Sequence, residues 1–228
     1  MLETRSNAEE LMDDPALSVD DYRAVMADLA RVNSVTMARR PTLDFLARHI
    51  GTAKRFTLLD VGFGEGDMLR AIAKWALACG IEAELVGIDL NPSSERAARA
   101  ATPTAMNITY QTGDYAGLTG QQFDFIISSL VVHHMSHAQL TAFLRFMSAE
   151  ARRGWFVNDL HRHRFAYLGY PLLARLFGWH PIVRHDGQLS IARSYRPAEW
   201  SPILAEANVN NARVFRQFPF RLCVEARL

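Results

Sequence analysis

The glycine-rich stretch LLDVGFGEGDM, residues 58–68, contains the residues of this chain best suited to holding a nucleotide. An apolar run ends in Asp60, and glycine then recurs at every second position, at Gly62, Gly64 and Gly66. A loop that binds a pyrophosphate has the spacing G-x-G-x-x-G and presents a helix N-terminus to the phosphates. Here the spacing is G-x-G-x-G, and the acids Glu65 and Asp67 would repel a phosphate. The loop therefore favours a ligand without phosphate and with a positively charged end.

Two further acids follow the next two predicted strands. Asp89 ends the strand in LVGIDL, where a carboxylate can accept hydrogen bonds from both ribose hydroxyls, as it does in NAD enzymes. Asp114 lies in TGDY, where it could accept the adenine amino group with Tyr115 beside the ring. Taken singly, each acid is more often a cap or a turn residue. Together with the loop they predict an adenosine site, and S-adenosylmethionine adds the required positive sulfonium without phosphate.

A second group of polar residues suits proton transfer. His133 and His134 follow the fourth predicted strand in VVHHM, and Asp159 ends the fifth in FVNDLH. Imidazole has a pKa near 6.5, so it can act as a base toward a hydroxyl while a carboxylate orients it. The alternative, that the histidines only shape the cofactor pocket, stays open. Secondary candidates lie in the segment that follows, at His161, His163 and His185.

The elements that must position these residues alternate between strand and helix. Five buried strands are predicted in FTLLDVG, AELVGIDL, NITYQTGD, FDFIISSLVV and GWFVNDL, with helices between most of them. ARVFRQFPF and RLCVEARL are predicted to close the chain as a hairpin. This order predicts an α/β fold with a doubly wound, mostly parallel seven-stranded sheet. Ligands bind beyond the carboxyl ends of the strands in such sheets.

Two helical regions flank this pattern. Residues 1–54 are predicted as an N-terminal helical lid on a domain of residues 55–228, with helix from 8 to 50. Asn33, Met37 and Arg39 are expected to line the lid, which would exclude water from the reaction. Residues 161–195 are predicted as an inserted helical cap, in which Pro171 kinks or restarts a helix.

Residues 56–159 resemble the class I S-adenosylmethionine-dependent methyltransferases. LLDVGFGEG resembles their first motif, GIDLNP the second, TGDY the third and FDFIISSLVVHHM the fourth. The resemblance implies the Rossmann-like methyltransferase fold, with a methionine site bordered by Asp60, Gly62, Gly64 and Gly66. It also implies that Asp89 and Leu90 border the ribose, Asp114 and Tyr115 the adenine, and Ser129 and Leu130 the sulfonium.

The stretch after the fourth strand bears on the acceptor. It reads SSLVVHHM and lacks the Asn/Asp-Pro-Pro-aromatic pattern of methyltransferases that act on nucleic acid bases. The His and Asp arrangement resembles that of small-molecule natural-product O-methyltransferases. Because the cap is rich in Phe, Tyr, Leu and Trp, we expect a phenolic or polyketide-like hydroxyl acceptor. The alternatives are C-methylation of a quinone-type precursor, an NAD(P)-binding oxidoreductase, and a cofactor-binding protein without chemistry.

Composition narrows the class further. The 228 residues include 25 Lys and Arg against 24 Asp and Glu, a net charge of +1 that does not favour nucleic acid. The two cysteines have no disulfide or metal-site spacing. No signal-peptide pattern is seen, and no apolar run reaches the roughly 18 residues of a membrane span. We therefore expect a cytoplasmic protein without stable membrane insertion and without a metal cofactor, and a homodimer stays open.

Overall fold

One mixed sheet organises the computed structural model, which describes residues 2–14 and 16–228. Within these residues its order is β3-β2-β1-β4-β5-β7-β6, with β1 to β5 parallel and β7 antiparallel to both of its neighbours. The strands are β1 (Arg55–Val61), β2 (Glu82–Asp89), β3 (Ile108–Thr112), β4 (Phe123–Ser129), β5 (Ala151–Leu160), β6 (Ala212–Gln217) and β7 (Arg221–Arg227). The predicted fold class and the closing hairpin are confirmed.

Helices cover both faces of this sheet. They are α1 (Val19–Val35), α2 (Arg40–His49), α3 (Asp67–Ala78), α4 (Pro92–Ala101), α5 (His137–Glu150), α6 (Arg164–Leu176), α7 (Pro181–Arg193) and α8 (Pro197–Glu206). Residues 8–10 are not helical, so the predicted helix from residue 8 to 50 was wrong at its start. The chain there runs extended into the short turn Leu11–Asp13, and α1 begins only after Ser18, whose hydroxyl caps it.

The two faces of the sheet bury separate cores. Alternate side chains of a strand point to opposite faces, and Leu58 and Phe125 accordingly pack with α2, α3 and α4. Their neighbours Leu59 and Ile126 pack with α5 and α8 on the other face. The near-continuous apolar runs of β1 and β4 follow from this burial on both sides.

The inserted cap consists of α6 and α7. Helix α6 continues through Pro171, so of the two predicted effects of this proline, a kink or a restart, the restart was wrong. Proline deprives the carbonyl of Tyr167, four residues earlier, of its helical donor. The Gln188 side chain of α7 donates to that carbonyl at 3.0 Å and so replaces the missing bond. None of the helices in the described ranges is long and apolar enough to cross a membrane.

Candidate active site

A cavity of about 470 Å³ lies where the carboxyl ends of β1, β4 and β5 meet the helical regions. The sheet side contributes Gly62, Phe63, Gly64, Ser129, Leu130, His133 and His134. The opposite wall is mostly apolar and includes Met26, Leu29, Val32, Phe165, Tyr170 and Leu173 from α1 and α6. Cavities of about 300–1,000 Å³ with apolar walls and a few polar groups are typical of small-molecule sites.

The glycine loop after β1 has a backbone that side chains would disrupt. Gly62 and Gly66 have φ angles of 78° and 76°, in the left-handed region that favours glycine. A Cβ at Gly62 would overlap the side chain of Val131, and one at Gly66 would lie 2.5 Å from the Tyr110 hydroxyl. The loop therefore holds its backbone close to the cavity, where a ligand can approach it.

Asp60 provides a test of whether this loop suits an amino acid ligand. Its side chain is 1% exposed, and its Oδ1 has no hydrogen-bond partner among the described residues. Burial raises the pKa of Asp60 well above its usual range, and the nearby Asp67 and Asp89 add to the effect. A bound ammonium group would supply both the missing hydrogen bond and the opposite charge. The amino group of S-adenosylmethionine fits this requirement.

Asp67 ties the N-terminal region to the loop. Its Oδ2 accepts a hydrogen bond from Arg39 Nη1 at 3.1 Å and one from Asn33 Nδ2 at 3.4 Å. Asn33 also lines the large cavity, whereas Met37 does not. Two of the three residues expected in a lid therefore contact the loop.

Asp89 also helps to hold the glycine loop. Its Oδ2 accepts from the backbone N–H of Gly64 and its Oδ1 from that of Asn91, both at 2.9 Å. Burial raises the pKa of Asp89, and these two hydrogen bonds oppose the rise. The Tyr22 hydroxyl of α1 lies 3.2 Å from Ser94 Oγ, so α1 covers this end of β2.

The remaining residues of the predicted adenosine site lie outside the lining of the large cavity, as Asp89 does. Leu90 is 74% exposed. Asp114 accepts the backbone N–H of Ala116 at 2.9 Å and so caps the turn that follows β3. Tyr115 packs against Phe143 and Phe146, with ring centroids about 5 Å apart. These residues stand at the predicted strand ends, but the structure does not bring them into one pocket with His133.

His133 and Asp159 form a buried pair at the cavity wall. His133 Nδ1 lies 2.7 Å from Asp159 Oδ1, and the backbone N–H of His133 donates to Oδ2 at 2.9 Å. A third donor, the N–H of Leu160, lies 2.7 Å from Oδ1. The carboxylate thus holds one imidazole nitrogen, and Nε2 is directed away from Asp159.

Glu10 approaches the other side of the same imidazole. His133 Nε2 lies 3.6 Å from Glu10 Oε1, and His134 Nε2 lies 3.8 Å from Oε2. Burial alone would lower the pKa of His133, but the charges and hydrogen bonds of Asp159 and Glu10 outweigh it and raise that pKa to about 9. Burial likewise opposes ionisation of Asp159 and Glu10, yet their interactions with His133 lower the pKa of both. The cluster is a carboxylate–imidazolium–carboxylate chain.

The same three side chains have the composition of a cation site. Ligand atoms of Glu10, His133 and His134 lie within 4.8 Å of one another. The Ser190 hydroxyl already donates to Glu10 Oε1 at 2.8 Å, and Arg193 Nη1 lies 3.9 Å from that oxygen. A guanidinium so close would repel a metal ion. A role of the cluster in proton transfer and the expected absence of a metal both stay predictions.

Arg221 is a buried cation on the cavity wall. It is 2% exposed, and only Nη2 has a hydrogen-bond acceptor among the described residues, Thr36 Oγ1 at 3.0 Å. Burial lowers its pKa to about 10, and Asp159 opposes that change. A buried cation with unpaired donors is costly, so Arg221 is suited to an anionic or electron-rich oxygen in the cavity.

The secondary histidine candidates lie away from this cluster and outside the cavity lining. Burial lowers the pKa of His161 to about 4. His163 Nδ1 accepts the N–H of Phe165 and caps α6. His185 is more than half exposed and lies 2.8 Å from Asp186.

Sequence reasoning missed Glu10 and Arg221. Glu10 lies 123 positions before His133 in a segment without motif or periodicity, so only the path of the chain places it there. Arg221 belongs to the β6–β7 hairpin, which was predicted only to close the chain as part of the sheet. The available signal was the resumption of an apolar strand directly after a lone arginine in FPFRLCV.

Comparisons with known proteins agree with this geometry. Residues 58–154 match the model of a methyltransferase domain. A search of curated protein sequences found no significant match.

Three solved structures illustrate the structural similarity. Human N-acetylserotonin methyltransferase with S-adenosylmethionine has a TM-score of 0.64 and 18% identity, covering 92% of this chain and 56% of that one. Magnesium protoporphyrin IX methyltransferase from Synechocystis PCC 6803 with S-adenosylhomocysteine has a TM-score of 0.59 and 18% identity, covering 95% and 90%. The plantazolicin methyltransferase BpumL with a triazolic desmethylPZN analogue and S-adenosylhomocysteine has a TM-score of 0.67 and 15% identity, covering 94% and 91%. This chain thus spans little more than half the length of the human enzyme, and the similarities establish its fold.

Proposed function

We propose that this chain, which matches a methyltransferase domain over residues 58–154, is a class I S-adenosylmethionine-dependent methyltransferase that methylates a hydroxyl of an apolar small molecule, a phenolic or polyketide-like acceptor. The observation that carries the proposal is the His133–Asp159 pair, 2.7 Å apart, in the wall of a largely apolar cavity. Two of the similar structures are methyltransferases whose names give small molecules, N-acetylserotonin and magnesium protoporphyrin IX.

In this proposal, the loop after β1 holds the cofactor. When bound, S-adenosylmethionine supplies an electrophilic methyl group on a sulfonium sulfur. Asp60 would pair with its ammonium group beside the loop glycines, and the backbone of Ser129 and Leu130 would border the sulfonium. Asp89, Leu90, Asp114 and Tyr115 would border the adenosine, at the end of β2 near which the Tyr22 hydroxyl of α1 lies.

His133 is the proposed base. Asp159 accepts the proton on Nδ1, so the lone pair of the neutral imidazole is on Nε2, the nitrogen that lies 3.6 Å from Glu10 Oε1 at the cavity wall. Nε2 would remove the hydroxyl proton as the acceptor oxygen becomes the nucleophile. The pKa of the conjugate acid of His133, about 9, is close to the pKa of a phenol, about 10. The proton transfer is then nearly balanced, which suits general base catalysis.

Arg221 has a proposed role toward the same oxygen. Its Nε and Nη1 have no partner among the described residues and belong to a side chain that lines the cavity. A guanidinium there would stabilise the negative charge of a phenolate as the proton leaves. This charge stabilisation favours an acidic hydroxyl over an alcohol.

The experiment is product analysis with S-adenosylmethionine carrying a ¹³C-labelled methyl group and a panel of phenols and resorcinols. We expect a new O–CH₃ carbon resonance that requires the enzyme and persists in EDTA. A C–CH₃ resonance would support the quinone-type alternative, and a loss of product in EDTA would contradict the metal-free site. The cytoplasmic location and the homodimer stay predictions.

A further inference from the structure

Helix α6 exposes a continuous apolar stripe. Its members recur at spacings of three or four residues along one side of the helix, at Phe165, Leu168, Leu172 and Leu176. They are between 62% and 80% exposed. Single exposed apolar residues are ordinary, but a contiguous group marks an interaction surface.

The stripe continues onto the β6–β7 hairpin. Phe218 is 78% exposed and Phe220 is 42% exposed. The His163 ring joins the two parts, with its centroid 5.2 Å from that of Phe220 and 5.5 Å from that of Phe165. Phe165 and Phe220 also line the large cavity, so the exposed surface borders the cavity entrance.

The two chain segments that form this surface carry charge of one sign, and an acid that contacts the hairpin, Asp44 of α2, accepts a hydrogen bond from Gln217 at 3.2 Å. Neither residues 160–185 nor residues 207–224 contain Asp or Glu. Exposed arginines flank the apolar side chains: Arg164 lies one turn before Leu168, Arg175 lies two turns after it, and Arg216 lies in the hairpin. Apolar side chains with flanking arginines match an anionic lipid surface, in which the side chains enter the headgroup region and the guanidinium groups contact phosphates.

A second copy of the chain suits this surface less well. In a two-fold dimer the same surface would face itself. The arginines of one copy would then approach those of the other with no acid from either segment to pair with them, and like charges facing one another are unfavourable.

We propose that the lipid-facing patch, formed by Phe165, Leu168, Leu172, Leu176, Phe218 and Phe220, docks the enzyme on an anionic bilayer surface. The cavity entrance would then face the lipid, and an apolar acceptor could enter without crossing water. Membrane docking itself does not depend on which atom of the acceptor is methylated.

The test is flotation of the full chain with vesicles of equimolar phosphatidylcholine and phosphatidylglycerol, compared with vesicles of phosphatidylcholine alone. We expect binding to the anionic vesicles that weakens with added salt. The variant Leu168→Ser/Leu172→Ser/Leu176→Ser should lower the partition coefficient by about tenfold or more, and Arg164→Gln/Arg175→Gln should reduce the preference for anionic lipid.

A matched pair of single variants controls for general surface hydrophobicity. Leu176→Ser alters a side chain that is 80% exposed within the patch, and Leu77→Ser alters one that is 82% exposed on α3. Only Leu176→Ser should weaken flotation, and thermal unfolding should show that both variants fold. Failure of the wild type to float, or equal losses in the two variants, would overturn the proposal. The proposal would also be overturned if the wild type did not bind vesicles and light scattering showed it to be a dimer that the triple variant abolishes.

Discussion

The imidazole of His133 and the carboxylate of Asp159 lie 2.7 Å apart, although 26 positions separate them in the sequence. Strands β4 and β5 are parallel neighbours that pair Ser129 with Asn158. Asp159 is the next residue of β5, and the short turn Val132–His134 returns His133 toward it. The sheet register therefore brings Asp159 to Nδ1 of His133 and leaves Nε2 on the side of Glu10.

Replacing His133 separates catalysis from cofactor binding. We expect His133→Ala to lower kcat by about 10²- to 10⁴-fold, the range that general base catalysis contributes. The affinity for S-adenosylhomocysteine, measured by calorimetry, should change little. His134→Ala is the control, because the His134 side chain is 31% exposed whereas His133 is buried against Asp159; it should lose less activity. Wild-type turnover in both variants would refute a role for either histidine as base.

Arg221→Met tests the buried cation. The substitution keeps most of the side-chain volume and removes both unpaired donors, so we expect phenol methylation to fall by about 10²- to 10³-fold, as for loss of an oxyanion donor. Protein stability should hold or rise, because an uncompensated buried charge disappears. Initial rates and thermal unfolding measure the two effects. A large loss of stability with unchanged kcat would assign Arg221 a structural role.

Gly62→Ala tests the loop. The φ angle of 78° and the overlap with Val131 would shift the backbone, so we expect at least a tenfold weaker affinity for S-adenosylhomocysteine by calorimetry. Gly51→Ala is the matched control: it has a φ of 58° but no atom within 4 Å of a Cβ. Gly51→Ala should introduce the same backbone strain as Gly62→Ala, about 1 kcal/mol, and should leave the cofactor affinity unchanged. Equal affinities in the two variants would contradict the assignment of the loop to the cofactor.

The sequence predicted what depends on local pattern. The alternation of apolar strands and helices predicts a mostly parallel sheet, because parallel strands need crossover connections that are usually helices. The positions of Asp60 and Asp159 at strand ends followed from the same pattern. Strand ends meet at one edge of the sheet, so these residues could be placed together without knowing any side-chain contact.

The remaining features depend on long-range packing. Glu10 reaches His133 because the first residues run beneath the cap: Arg162 donates to the carbonyls of Leu2 and Glu3, and Arg5 stacks on Tyr195. No local signal encodes that path. Periodicity likewise revealed the apolar face of α6 but could not show that it faces outward, since a core face and an exposed face have the same spacing.

The pH dependence of methyl transfer tests the central claim, that neutral His133 is the base. With a pKa of about 9 for His133, kcat/KM for an acceptor that does not itself ionise in this range should rise with pH up to about 9. Glu10→Gln removes a negative charge that stabilises the imidazolium, so the pKa of His133 falls and the rising limb moves to lower pH. Glu9→Gln, an exposed neighbour, should leave the profile unchanged. A rising limb at the same pH in wild type and Glu10→Gln, or a wild-type profile without one, would contradict the account.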